Sequence, residues 1–504
     1  MKQVAICSTQ LFRSILRMPR GEIATRDVQG ITSTSDCGPA QTMNSKSGLA
    51  ANALGLGESI IMGIAGTAPA FSAAATTATL IAAVGVLSPA SLLYCGLIMF
   101  GVTLAFKQLN RVDPNAGASY AWVEKAFGPV LGFLAGWSLL VATALFMVSG
   151  TVPAATATLD LVAPSLTANP TSVTLIAAGW LLAVSALVVK GIKPASYTQV
   201  VLTTIEVAIL ILVIIAALVK FGSHPAHTFS FDWLSLSQFT PQLFATGALT
   251  AVFFFWGWDV TLNLNEETSN AQHTPGHGAV LAMITVMLLF VGFAVATLLV
   301  LTDAEIDRAG TNVVLAVAEK IFPRPWSYMA VIAVMLSTIG TLETSFLQFT
   351  RTMFAKGRGG ALHPRYARLH KTWQTPWVAT AVLTIFGLAL LFVSSFLPTV
   401  SRIMKDSVNA IGFQAAFYYS LASFACAWNT RRAAIANPVT MVTLVLWPVA
   451  SALFLTFVAI YSIPSFDLVT NVIGLGGIVA GLVPLFLNRW RHAGEESRRR
   501  PLTS

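Results

Sequence analysis

The sequence predicts an α-helical membrane bundle of about twelve spans, and three observations carry that prediction. Hydrophobic residues make up 55% of the 504 and charged residues only 10%, with a mean hydropathy of +0.72. A soluble domain carries about 25% charged residues, so this chain has too little polar surface to face water all round. The second observation is about twelve apolar runs, each near the ~20 residues that a helix needs to cross a bilayer. They fall at 58–84, 88–108, 118–151, 172–189, 195–219, 240–262, 278–301, 327–351, 377–397, 407–428, 437–461 and 467–488. Only helices and closed barrels satisfy every backbone group in lipid, and these runs are too long for barrel strands. The third is a one-sided distribution of basic residues. With the N-terminus cytoplasmic, about 24 Lys and Arg fall on that side and about 6 on the other. Both termini are therefore expected in the cytoplasm, with the chain in the cytoplasmic membrane.

The rest of the composition narrows the function. The net charge of +9 sits in loops and tails, where it would meet anionic headgroups. No basic stripe lies on a folded soluble segment, which argues against nucleic acid as a partner. Cys7, Cys37, Cys95 and Cys426 form no CxxC pair, and Cys95 and Cys426 sit inside apolar runs as small hydrophobes. His273 and His277 have the spacing of helical metal ligands, but Pro275 lies between them, so no metal site or cofactor is expected. Neither HExxH nor GxSxG occurs in the spans, so an enzyme is not expected.

Along the chain, residues 1–54 read as a disordered cytoplasmic tail. They are polar and lack the apolar core of a signal peptide, and Met43 opens a shorter leader, MNSKSGLAANALG. A helical core is expected over 55–430, two peripheral helices over 431–489 and a basic tail over 490–504.

Two of the apolar runs carry breaks. The first reads GESIIMGIAGTAPAFSAAATTATL, with Gly63, Gly66 and Pro69 clustered. The sixth reads FATGALTAVFFFWGWDVTLNL, interrupted at Gly257. Glycine weakens a helix, while proline removes a donor and clashes one turn back. Unwound backbone at membrane depth persists only against protein or an aqueous cavity. Breaks in the first and sixth spans are what two five-helix halves of opposite topology would produce.

At these residues the chain resembles the amino acid–polyamine–organocation permeases. GIAGTAP is similar to that family's Gly-rich first break, altered at Ile64 and Ala65. NRVDPNAGASYAWVEKAFGPVLGFLAGW (110–137) resembles its signature between the second and third helices. FFFWGWD followed by NEET resembles its sixth helix, and QFTRTMFAKGRGGALHPRYARLHKTWQTPWVA (348–379) the loop after its eighth.

The resemblance implies a ten-helix inverted-repeat core plus two peripheral helices, with substrate held between the two breaks. Gly63 would allow close approach, and N–H groups around Ala65, Gly66 and Thr67, at the positive end of a half-helix, would hold a carboxylate. Carbonyls near Phe253, Phe254 and Phe255, beside Gly257, would suit an ammonium. Phe253, Trp256 or Trp258 could close over it, or these rings could be packing alone.

Three carboxylates fall within spans: Glu206, Asp259 and Glu343. A charge at the bilayer centre costs about 2.5–3.5 kcal/mol on insertion scales and marks ion or proton pathways. In many members of the family the residue at the position of Asp259 is acidic and belongs to the gating or proton network. Some proton-coupled relatives carry a Lys in the region of Glu206, so their Lys-based coupling does not transfer. Proton coupling through Glu206 or Asp259 is the expectation. Thr341, Thr344 and Ser345 beside Glu343 leave sodium coupling as an alternative. Glu266 and Glu267 read either as an inner gate or as solvated charges. The function expected is secondary transport of an amino acid or amine by alternating access, as a proton symporter. An exchanger of the same fold is the near rival, and a membrane sensor the rival of another class.

Overall fold

In the computed structural model, residues 48–394 and 400–488 are described. The expected N-terminal tail up to residue 47 and the basic C-terminal tail lie outside them. Among the described residues there is no strand beyond one isolated parallel bridge, Leu54 with Thr268.

The helices begin where proline permits. A proline at the first helical turn loses no hydrogen bond and presets φ. In chain order α1 (Leu56–Gly66) passes into α2 (Pro69–Val84), followed by α3 (Ser88–Val112), the short α4 (Ser119–Phe127) and α5 (Pro129–Val162). Of these, α2, α3 and α5 carry proline in the first turn. The same device opens α6 (Pro170–Val189), where the Asn169 side chain also accepts from Thr171 N at 3.0 Å. After α7 (Ile192–Phe221), Pro241 opens α8 (Pro241–Phe254), whose cap Thr240 accepts from Leu243 N at 3.1 Å. The one-turn α9 (Val260–Asn263) and α10 (Thr274–Val300) complete the sixth and seventh apolar runs.

The eighth run is α13 (Met329–Arg358), preceded by the short α11 (Asp303–Ala309) and α12 (Val313–Ile321). Then come α14 (Trp377–Ser394), α15 (Val400–Ala434), α16 (Pro438–Met441), one π turn (Val442–Leu446), α17 (Trp447–Ser462) and α18 (Leu468–Ala480). Ten stretches among the described residues are long and apolar enough to cross a membrane. The first of them, Leu56–Val112, runs from the start of α1 to the end of α3, and Pro241–Phe254 is a further, shorter apolar helix.

Two boundaries differ from the sequence expectation. The run expected from 118 to 151 begins only at Pro129, because Gly128 (φ +88°) turns the chain after α4. Between the seventh and eighth runs, α11 and α12 occupy a stretch read as a plain connection. There Thr302 and Glu305 form a reciprocal capping box that starts α11.

The bundle exposes apolar side chains and buries polar ones beside its apolar core. On α7, Ser196, Gln199, Thr203 and Glu206 are buried, whereas Val201, Ile205, Ile211, Leu212 and Ile215 are exposed. That inversion is stable only in lipid, where a buried polar group finds partners and an exposed apolar one loses nothing. The largest apolar core packs around the two breaks and includes Phe71, Phe106, Phe146, Phe254, Trp256 and Trp258.

Candidate functional site

The first break is local and sharp. α1 ends at Gly66; Thr67 N donates to Ile64 O at 3.1 Å and the Thr67 hydroxyl to the same carbonyl at 2.7 Å. Ala68 then takes a left-handed conformation (φ 49°, ψ 62°), and Pro69 starts α2 without an N–H to offer. The free donors at the head of α2 are met by side chains from other helices. Ala70 N donates to Glu206 Oε1 of α7 at 2.9 Å, and Phe71 N to Ser337 Oγ of α13 at 3.2 Å. Thr341 of α13 holds the other side of the break, its hydroxyl donating to Ala65 O at 2.5 Å.

Helix α8 ends in 3₁₀-type bonds, Phe255 N to Val252 O and Trp256 N to Phe253 O. The carbonyls of Phe254 and Phe255 accept no main-chain bond among the described residues. Gly257 follows at φ +105°, a region that L side chains rarely enter. Its carbonyl accepts from Val260 N at 3.2 Å, starting α9.

The two breaks meet backbone to backbone. A Cβ built on Gly66 would lie 2.1 Å from Gly257 O, and one on Gly257 would lie 2.1 Å from Gly66 O. Gly63 is equally close-packed, its virtual Cβ 2.6 Å from that of Ala282. Glycine at 66 and 257 is therefore a requirement of contact between two main chains.

Asp259 is completely buried and carries three donors: Tyr419 Oη at 2.8 Å, Gln348 Nε2 at 2.8 Å and Tyr418 Oη at 3.2 Å. The two hydroxyls also accept from the break itself, Tyr418 from Trp256 Nε1 at 3.1 Å and Tyr419 from Gly257 N at 3.2 Å. Each tyrosine thus links unwound main chain or indole to the carboxylate, tying the sixth run to α13 and α15. The rings add packing. Trp258 stacks on Tyr419 at 5.6 Å, and Phe146 contacts both Trp256 (5.9 Å) and Phe71 (6.0 Å).

Two ion pairs follow α9 in the chain. Arg351 binds Glu267 through two bonds of 2.8 Å, with both side chains buried. Arg358 binds Glu266 likewise at 2.6 and 2.8 Å, with its side chain 34% exposed. Glu266 Oε1 also accepts from Ala116 N, and Glu267 O accepts from Ala53 N and Leu54 N. Asn263 and Asn265 bind the loop between α3 and α4 through Ala116 O and Asn115 O.

The sequence-derived residues therefore fall into two places. Gly63, Ala65, Gly66, Thr67, Phe253, Phe254, Phe255, Trp256, Gly257 and Asp259 gather at the paired breaks. Glu206 joins them by capping α2. Glu343 stands apart, buried towards α7, with Gln199 as its polar neighbour there. The amides at the break are distributed differently from the sequence expectation. Ala65 and Gly66 still belong to α1, and the side-chain-bound donors are those of Ala70 and Phe71. The helix runs up to Gly66 because nothing before Pro69 removes a donor. Tyr418, Tyr419, Gln348 and Ser337 were not singled out from the sequence. Their only signal there is polarity inside apolar runs, and the tyrosines come from a helix 160 residues away. Arg351 and Lys356 count as loop charges in the sequence, yet both are buried on α13, with Lys356 Nζ donating to Phe133 O at 2.6 Å. Among the described residues no cluster of His, Cys, Asp and Glu could hold a metal ion.

Known proteins share this arrangement of sequence. A family profile described as amino acid permease matches residues 53–483. The low-affinity putrescine importer PlaP of Escherichia coli (strain K12) is 25% identical over 319 residues, 61% of this chain and 67% of that protein. The human large neutral amino acids transporter small subunit 2 is 24% identical over 429 residues, 81% of this chain and 76% of that protein. The mouse b(0,+)-type amino acid transporter 1 is 21% identical over 337 residues, 65% of each. Broken helices touching at two glycines, within a profile that spans nearly the whole described chain, place it in the amino acid permease family.

Proposed function

We propose that the chain is a proton-coupled secondary transporter of an amino acid or related amine, working by alternating access in a cytoplasmic membrane with both termini inside. The observation that carries this reading is the contact between the two breaks, where Gly66 and Gly257 bring unwound main chain together. A substrate entering between them would exchange this contact for hydrogen bonds to the carbonyls that end α8 and to amides at the first break. By their names the relatives transport putrescine, large neutral amino acids or amino acids, which supports the substrate class. Breaks in the first and sixth runs support two inverted halves of five helices and twelve spans in all. The Glu266 and Glu267 ion pairs lie on the side that the basic residues assign to the cytoplasm. The conformation described is then one closed inward.

Glu206 supplies a means of coupling. As a carboxylate it accepts from the first free amide of α2, at the positive end of that half-helix. Protonation removes the charge from this contact and loosens α2 from α7, so proton loading and movement of the first break are one event. Asp259 could act in the same way at the sixth break, where three donors hold it. Glu343 is a further buried carboxylate on the same helix as the Asp259 donor Gln348, and its candidate role in ion coupling is weaker because it contacts neither break. Sodium coupling through the α13 hydroxyls is the rival, although Thr341 is engaged with Ala65 O.

The test is uptake into proteoliposomes from a panel of radiolabelled amino acids and polyamines, under imposed proton or sodium gradients. Wild type should accumulate substrate with an inward proton gradient. Glu206→Gln should retain counter-substrate exchange and lose accumulation driven by pH. PH-driven accumulation retained by both Glu206→Gln and Asp259→Asn defeats the coupling assignment, and sodium dependence of the wild type defeats proton coupling altogether.

A further inference from the structure

A groove of about 500 Å³ opens on the flank of the bundle, far in sequence from the breaks. Leu131 of α5, Leu421 and Phe424 of α15, Val445 of the π turn and Val449 of α17 form its walls, and Arg431 stands at its mouth. From Leu421 to Arg431 is ten helical residues, so the apolar trough runs about 15 Å. Its polar end is Trp428, half exposed, with the Arg431 guanidinium 3.5 Å over the indole. Tryptophan and arginine together mark the headgroup level of a bilayer.

The groove is preformed. The π turn displaces the chain so that Leu444 O accepts from Thr430 Oγ1 at 3.2 Å and from Cys426 Sγ at 3.6 Å of α15. Trp447 Nε1 pins the same segment to Leu97 O at 3.0 Å. Among the described residues Arg431 takes part in no ion pair. It donates one N–H to Trp428 O, and a guanidinium carries five such donors in a fork suited to phosphate.

We propose that this groove is a binding site for an anionic phospholipid, with one acyl chain in the trough and the headgroup phosphate on Arg431. An apolar trough alone would accept any lipid. The guanidinium, in no ion pair among the described residues, selects a headgroup of net negative charge over a zwitterionic one.

Native mass spectrometry of the full chain, delipidated and then titrated with phosphatidylglycerol or phosphatidylcholine, tests this. Wild type should retain phosphatidylglycerol in preference. Arg431→Gln should lower that preference about fivefold, the worth of one basic residue at an anionic surface, and Arg431→Lys should keep most of it. Leu421→Trp, which fills the trough, should reduce retention of both lipids. Arg365→Gln, an exposed arginine outside the groove, should change nothing. Wild type without a preference, Arg431→Gln indistinguishable from wild type, or an equal loss in Arg365→Gln would each overturn the assignment.

Discussion

Gly257→Ala is expected to abolish uptake in a chain that still reaches the membrane. Two effects add. Gly257 sits at φ +105°, where an L residue costs about 1–2 kcal/mol. Its new methyl would also lie 2.1 Å from Gly66 O and 2.7 Å from Gly66 C, and main chain cannot rotate away as a side chain can. The conformation in which the breaks touch would lose about 3 kcal/mol or more, roughly a hundredfold in its population. Gly66→Ala should reproduce the defect from the opposite helix, its methyl meeting Gly257 O at 2.1 Å. Gly179→Ala on α6, where nothing lies within 4 Å of the new atom, serves as the neutral control. Initial uptake rates normalised to purified protein measure the effect. Wild-type rates in both break variants would mean that the two main chains do not need this approach during transport.

The second large effect is expected at the buried ion pair. Arg351→Met leaves Glu267 charged and alone in a fully buried site, and Glu267→Gln strands Arg351 in the same way. Removing one partner of a buried pair costs about 3–5 kcal/mol, while replacing both is much milder. The single variants should therefore unfold at clearly lower temperature in detergent than the double variant Arg351→Met/Glu267→Gln. The double variant should fold yet leak or exchange substrate without a gradient, because the closed end has lost its clasp. The outer pair gives the contrast. The Arg358 side chain is 34% exposed, so water reaches this pair and breaking it should cost less than breaking the buried one. Equal losses at both pairs would show that burial is not what sets the strength of this gate.

Much of the fold is legible because lipid leaves few options. A run of 20 apolar residues must be a helix, and Gly66, Pro69 and Gly257 interrupt such runs in any environment that forbids free backbone groups. The same logic locates Glu206 and Asp259 as exceptional residues, since each carboxylate stands inside an apolar run. Their partners are not legible. Gln348, Tyr418 and Tyr419 are spaced for ordinary helix faces, and no local pattern says that they converge on one carboxylate. Glu266 and Glu267 could equally have been solvated, and only the approach of α13 turns them into ion pairs. The short α4, α11 and α12 were missed for a related reason. Their signals, a single glycine and a capping box, are small beside the hydropathy of the runs that flank them.

By itself the sequence determined the solvent of this protein, the class of its secondary structure and the two points where its helices come apart. These depend on local chemistry: hydropathy summed over one run, a missing donor at Pro69, a missing Cβ at Gly66 and Gly257. The tertiary structure alone decided that the two glycines touch, that Glu206 rather than water caps α2, and that Arg351 lies buried instead of in a loop. Those outcomes depend on which helix packs beside which, and a hydrogen bond or ion pair across 80 to 160 residues leaves no mark on the local pattern of either partner.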